Sequence, residues 1–459
     1  MRWSRRRGER PHHDVCVIGS GFAGVMLALR LVDSGVSTLM LEAGEPGDPS
    51  QSASNHDAGD AHLFPVREEG DAVPSTDANR AIAVGGASAR WNGVVTRVWP
   101  DDLRSGTAFG FGADWPITYD DLVPYYEAAE AALHTHGAAP VVGAEPPRAV
   151  PYPMEWSTSP TVPTVAERHA TFPLAFGTRN GAPLRLREVE VPTFAASPYG
   201  TLLTGRAATR VIVDRSGCVR AVETRGRDGS VQRHSARHVV IAAGVVETAR
   251  LLLLSTSSEH PHGLGNQHDQ VGRFLHGHPR LRAALVDPTP VGSPSGVHRT
   301  YALGTSLRER GLGALAVDFN VGGTRGVVDV TAELEPAAEH RVALDHSWSD
   351  QWDRPGVRLT AWSTENDVRT RAAAEETLRT LTDDPVGEPA LTWFHPAGTC
   401  RMAPDPSAGV VDANCTVFGV PNLHVAGAAV FPTSGPANPT LTVVALALRL
   451  ADHLNALMR

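Results

Sequence analysis

The sequence predicts an α/β protein: a Rossmann-type, dinucleotide-binding domain with a parallel sheet, plus an α+β domain built on an antiparallel sheet. Three observations predict it. Gly19-Ser20-Gly21-Phe22-Ala23-Gly24 follows a short apolar run, precedes a helix-like apolar segment, and is followed by an acid, Glu42, at the end of the next apolar run. A second apolar run, His238–Ala243, ends in Gly244 and leads into another helical segment. Farther on, between residues 280 and 389, apolar and polar residues alternate instead, as in half-exposed antiparallel strands.

Taken in order, Val15–Ile18 has the unbroken apolar character of a parallel strand covered on both faces, and Val25–Asp33 suits the helix packed on it. Gly19 allows the tight turn between them, Gly21 lets backbone approach a pyrophosphate, and Gly24 lets helix and strand touch. Ser20, Phe22 and Ala23 complete the turn whose N–H groups, at a helix N-terminus, face the phosphates. Gly35 stops the helix, Val36–Leu41 forms the second strand, and Glu42, followed by Ala43, arrives where a carboxylate accepts ribose hydroxyls. That acid argues against the phosphorylated ribose of NADP. NAD and FAD both remain open on this motif.

Residues 51–77 are polar and read as a surface excursion between core elements. A second glycine turn, with Gly85, Gly86, Ser88, Asn92 and Gly93, is small enough for backbone to lie against a flat or phosphorylated ligand, although a plain loop has the same composition. Thr118 and Asp121 read as a capping box opening a helix through Ala132. Residues 138–163 are Pro-rich and aperiodic, a crossing between domains. Arg206–Arg237 reads as a hairpin about Ser216-Gly217, followed by the strand ending in Ala243-Gly244 and a helix over Glu247–Ser255. Ala314–Val321 and Val327–Leu334 alternate clearly. Near the end, Asn438-Pro439 reads as the N-cap and first position of a helix to about Leu457. That helix is apolar all round and therefore buried, so its positive dipole end projects inward, where it suits an anionic reduced flavin.

The bulk numbers exclude several classes. With 459 residues the chain can hold two domains, and 42% hydrophobic with 20% charged residues is ordinary for a globular protein. A net charge of −9 without a basic stripe argues against nucleic acid. Lysine is absent, which we read as the coding bias of a GC-rich bacterium. Cys16, Cys218, Cys400 and Cys415 form neither a CxxC pair nor a zinc spacing, so no metal and no redox dithiol are expected, and a reducing, cytoplasmic location is. The Arg-rich N-terminus reads as a tail rather than an export signal, and no segment is expected to span a membrane.

The chain resembles the glucose-methanol-choline (GMC) oxidoreductases, FAD-dependent enzymes that oxidise alcohols. The resemblance is carried by Gly19–Gly24 with Glu42, the Gly85–Gly93 loop, Trp115–Tyr126, Ala242–Leu254, Val271–Leu275 with His278-Pro279, and the stretch from His395 to Thr442. It implies FAD, a small-molecule alcohol substrate, and oxygen, a quinone or another redox partner as electron acceptor. It implies FAD-binding segments at 12–110, 201–279 and 391–459, with substrate-domain segments at 111–200 and 280–390. The chain is short for the family. By position, His395 is the base that takes the hydroxyl proton as hydride leaves for flavin N5, and Asn438 orients the substrate oxygen. Ala208 would hold adenine through its backbone, and Pro439-Thr440 would lie over the flavin pyrimidine. Gly427 and Ala428 stand where many members carry Asp, a version similar to the sugar-oxidising, pyranose-oxidase-like branch. Arg90 stands where some members attach FAD through His, so FAD is expected to bind without a covalent link. The favoured substrate is a sugar, glycoside, aminocyclitol or related polyol. Its rivals are a sterol or other apolar alcohol, and a lyase that keeps FAD for structure. His276 and His278 are expected more as packing residues than as pocket residues.

Overall fold

The computed structural model describes residues 13–45, 66–74, 80–155, 170–285, 296–322, 325–381 and 390–459. The arginine-rich tail, most of the polar excursion and the end of the Pro-rich crossing lie outside them.

β1 (His13–Ile18), α1 (Phe22–Asp33) and β2 (Thr38–Leu41) form the expected βαβ unit. Val15, Cys16 and Val17 are fully buried, as a central parallel strand requires. A Cβ on Gly24 would stand 2.0 Å from the Gly19 carbonyl oxygen, so only glycine permits this contact. The helix α2 (Tyr119–Ala132) opens on the anticipated box: Thr118 Oγ1 accepts from the Asp121 amide at 3.3 Å, and the Thr118 amide donates to Asp121 Oδ2 at 2.8 Å.

β3 (Gly200–Leu203) pairs with β2, and β4 (Ala236–Ile241) pairs with the other side of β1, with Leu423–Val425 beyond it; all are parallel. The chain order reverses between β1 and β4, and the strands' C-terminal ends lead directly to Gly19 and to Ala243-Gly244. Ligands of open α/β sheets bind at such a switch point. The anticipated hairpin gains a third strand, Val231–His234, and so becomes an antiparallel meander. α3 (Val245–Leu254) follows with Gly244 at its N-cap.

The second sheet is antiparallel. It contains β5 (His276–Leu285), β6 (Gly296–Thr300), β7 (Leu315–Gly322) and β8 (Arg325–Ala332), is backed by α4 (Glu365–Leu381), and is completed by β9 (Ala390–Ala397). The order is β9-β5-β8-β7-β6 with Phe172–Pro173 at the edge. Its two faces differ because strand side chains alternate. Leu281, Val317, Phe319, Val328 and Val330 join Ala374 and Leu378 of α4 in one buried cluster. Their neighbours Arg280, Arg282, Asp318, Asp329 and Thr331 line a cavity on the opposite face.

α5 (Thr440–Met458) packs on α1 and α2. Its length and composition would suffice to cross a membrane, which corrects the expectation that no segment could. Leu441, Val444, Ala445, Ala447, Leu450, Ala451 and Leu454 are buried in protein, so its apolarity is that of a core helix.

Candidate active site

One cavity of about 790 Å³ runs from the switch point of the parallel sheet to the polar face of the antiparallel sheet. Gly19, Ser20, Gly21, Phe22, Ala23, Glu42 and Ala43 line one end, joined by Gly86, Asn92, Ala208, Ala243 and Gly244. Gly427, Ala428, Asn438, Pro439 and Thr440 line it as well, Asn438 beside His395. Four other predicted residues stand behind this wall. Gly24 makes the helix contact described above. Gly85, at φ +88, donates its amide to Ser20 Oγ at 2.9 Å. Ser88 Oγ donates to the Gly85 carbonyl at 2.7 Å and accepts from the Leu186 amide at 3.2 Å. Gly93, at φ +92, turns the chain away.

The end near the parallel sheet fits a dinucleotide. A Cβ on Gly21 or Gly244 would meet nothing within 4 Å, and one on Gly427 would meet only the Ala23 Cβ at 4.0 Å. Backbone therefore faces open space at three places, and the N-termini of α1, α3 and α5 all border it. Glu42 Oε2 accepts from the Ser20 amide at 3.0 Å and from Ser20 Oγ at 2.7 Å, while Oε1 accepts from the Gly44 amide at 2.7 Å. A carboxylate has about four lone-pair sites, so capacity remains for a ribose hydroxyl. Burial raises the Glu42 carboxyl above its usual range, and these hydrogen bonds oppose the shift.

Asn438 does not cap the last helix. α5 begins at Thr440 with Pro439 at the N-cap and no side-chain cap bond. The Asn438 amide Nδ2 instead stands 3.5 Å from His395 Nε2. The reason lies in β9. The β5–β9 ladder shifts register between His276 and His278, giving β9 an extra residue, and His395 there adopts φ +57. Such a bulge re-aims a side chain, and here the left-handed backbone is held at the cavity.

Hydrogen bonding fixes the His395 tautomer. His278 Nε2 lies 2.6 Å from the Gly435 carbonyl, which can only accept, so Nε2 carries the proton. Burial pushes His278 down to about 3, so it is neutral and its Nδ1 is a bare acceptor. His395 Nδ1 lies 2.9 Å from that atom and must donate to it. The lone pair of His395 is thereby left on Nε2, beside Asn438. Burial, then His278, Arg280 and Arg299, hold His395 well below the ordinary imidazole value. A lowered value keeps Nε2 unprotonated as pH falls. We therefore expect kcat/KM to stay level as pH drops through about 6.5, the ordinary imidazole value. A half-maximal point at or above that value would contradict this arrangement. His278→Leu removes the acceptor for Nδ1, and kcat should drop about tenfold, the worth of one buried hydrogen bond, while flavin binding persists.

Sequence reasoning missed several residues. His278 is hydrogen-bonded to His395 rather than merely packing. Buried Glu333 accepts from the Gly435 amide at 2.7 Å and the Ser434 amide at 3.2 Å, fixing the loop whose carbonyl holds His278. Burial raises Glu333 to about 7 despite Arg308 at 3.7 Å. His276 Nδ1 donates to the Phe274 carbonyl and Nε2 accepts from Ser434 Oγ, both at 2.8 Å, a packing role as expected. The spacing of His278, Arg280 and Arg282 on alternate residues was the one available signal that they share a face.

An imidazole held where a dinucleotide cleft meets a polar sheet fits the class that the resemblance implies, the flavin-dependent alcohol oxidoreductases. Family models described as GMC oxidoreductase match residues 178–280 and 336–447. The 6'''-hydroxyparomomycin C oxidase of Streptomyces lividus is 29% identical over 96% of this chain and 92% of that protein. Paromamine 6'-oxidase of Streptomyces fradiae is 29% identical over 98% of this chain and 92% of that protein. Among solved structures, a formate oxidase of Aspergillus oryzae superposes with a TM-score of 0.70 at 17% identity, covering 98% of this chain and 99% of that one. The chain belongs to the GMC oxidoreductase family, and its cofactor is FAD.

Proposed function

We propose that the protein oxidises a CH–OH group of a sugar-like polyol, glycoside or aminocyclitol to a carbonyl, with His395 as general base and Asn438 as the donor that orients the substrate oxygen. The observation that carries this reading is the bare His395 Nε2, fixed by His278 and facing the cavity. The hydroxyl proton moves to Nε2, and the resulting imidazolium keeps its Nδ1 bond to His278. FAD, when bound, supplies the acceptor for the electron pair and the carbon-bound hydrogen. Gly21, Gly244, Glu42 and the N-terminus of α5 would hold it.

The wall beyond His395 favours a polyol over a sterol, because Arg299 pairs with Asp318 at 2.6 and 2.7 Å and Arg282 with Asp329 at 2.7 and 2.8 Å on that face. Relatives named as oxidases of paromamine and of a paromomycin derivative support a carbohydrate-like substrate. Four free cysteines support a cytoplasmic location. Oxygen, a quinone or another redox partner is the electron acceptor; peroxide release in air against turnover with a quinone or dye distinguishes oxidase from dehydrogenase.

Anaerobic mixing with a panel of sugars, glycosides and aminocyclitols should bleach the oxidised flavin with at least one of them. Product formed while the flavin spectrum stays oxidised would mean a lyase instead. With Arg90 in the second glycine loop, acid denaturation should release all the flavin into the ultrafiltrate. Flavin retained on the chain would show a covalent link.

A further inference from the structure

Arg280 is placed unlike its neighbours on the substrate face. On β5 it lies between His278, the partner of the base, and Arg282, the partner of Asp329. Every carboxylate of the described residues that borders the cavity is already engaged. Asp318 is held by Arg299, Asp329 by Arg282, Glu42 by Ser20 and Gly44, and Glu247 by Arg354 at 3.1 Å. Arg280 is held only loosely: its Nε is buried without a hydrogen-bond partner, and its ion pair to Asp329 Oδ1 is long, 3.7 Å, to an oxygen that Arg282 holds at 2.7 Å. The guanidinium is held in place over the Phe394 ring, 4.1 Å from its centre, beside His395 in sequence. Among the described residues at the substrate face, Arg280, Arg282 and Arg299 thus face Asp318 and Asp329, and the excess charge is positive.

A positioned guanidinium with free donors matches a carboxylate, which it can bind through two parallel N–H···O bonds. An ammonium group in the same place would meet like charge, with no free carboxylate among the described residues to receive it. We propose that Arg280 is a specificity residue that receives a carboxylate of the substrate, so that the preferred polyol is acidic rather than an amino sugar. The assignment rests on the alcohol-oxidation reading for the identity of the ligand, and binding tests it separately from turnover.

The test titrates the FAD-loaded enzyme with methyl glucoside, methyl glucuronide and methyl 6-amino-6-deoxyglucoside, following the oxidised flavin spectrum and calorimetric heat. The glucuronide should bind roughly tenfold or more tighter than the glucoside, as one charge-assisted hydrogen bond requires, and the amino sugar should bind weakest. Arg280→Gln should erase the preference while FAD content and Tm hold, and Arg280→Lys should keep part of it through its charge. Glucuronide binding that is equal or absent, tighter binding of the amino sugar, or a preference that survives in Arg280→Gln overturns the proposal. Tight glucuronide binding with no polyol able to bleach the flavin leaves Arg280 as an anion site and sinks the alcohol-oxidation reading.

Discussion

Replacing His395 with Asn should lower kcat by about 10²–10⁴, the usual contribution of a positioned general base. Asn is the informative substitution because His395 sits at φ +57, a conformation that Asn tolerates better than most residues. Alanine or a β-branched residue would add backbone strain to the loss of the base. The variant should bind FAD normally, since the glycine cradle and Glu42 lie in other elements. Rapid mixing without oxygen separates the outcomes: the flavin should bleach slowly at saturating substrate. Bleaching at the parent rate would remove His395 from the chemistry. Together with the level acid limb expected for the parent enzyme, this experiment tests both the identity of the base and its tautomer.

The second large effect separates two glycines three residues apart. Gly21 has extended backbone, φ −70 and ψ −173, and its missing side chain faces empty cavity. Gly21→Val should therefore give a folded protein that purifies without yellow colour, because the new branched side chain occupies the space of the pyrophosphate. Gly24→Ala introduces a Cβ 2.0 Å from the Gly19 oxygen and 3.3 Å from Val17 Cγ1. Overpacking of that kind costs about 1–3 kcal/mol or more, and here it pushes β1 and α1 apart. Thermal unfolding of the apoproteins reads the difference: Tm should hold for Gly21→Val and fall by several degrees for Gly24→Ala. A Gly21→Val protein that keeps full FAD content would remove this turn from the cofactor site.

The first βαβ unit was legible because its signals are local. An apolar run, three spaced glycines and an acid specify a turn whose geometry needs no distant partner. The capping box at Thr118 was legible for the same reason, since a side chain and an amide three residues apart satisfy one another. β3 and Leu423–Val425 were not legible, being short segments that become strands only by completing a sheet begun elsewhere. The cap assigned to Asn438 failed instructively: propensity favoured it, but the side chain found its partner on β9, far away in sequence.

By itself the sequence determined the dinucleotide cleft and the two kinds of sheet, because composition and spacing encode local backbone geometry, and its resemblance to the GMC oxidoreductases supplied His395 and Asn438 as candidates. Only the tertiary structure decided which nitrogen of His395 bears the lone pair, through the path from Glu333 and the Gly435 loop to His278. It alone also left Arg280 Nε without a hydrogen-bond partner on the substrate face. Both depend on which buried donors and acceptors meet across strands, and that pairing is settled by packing between distant segments.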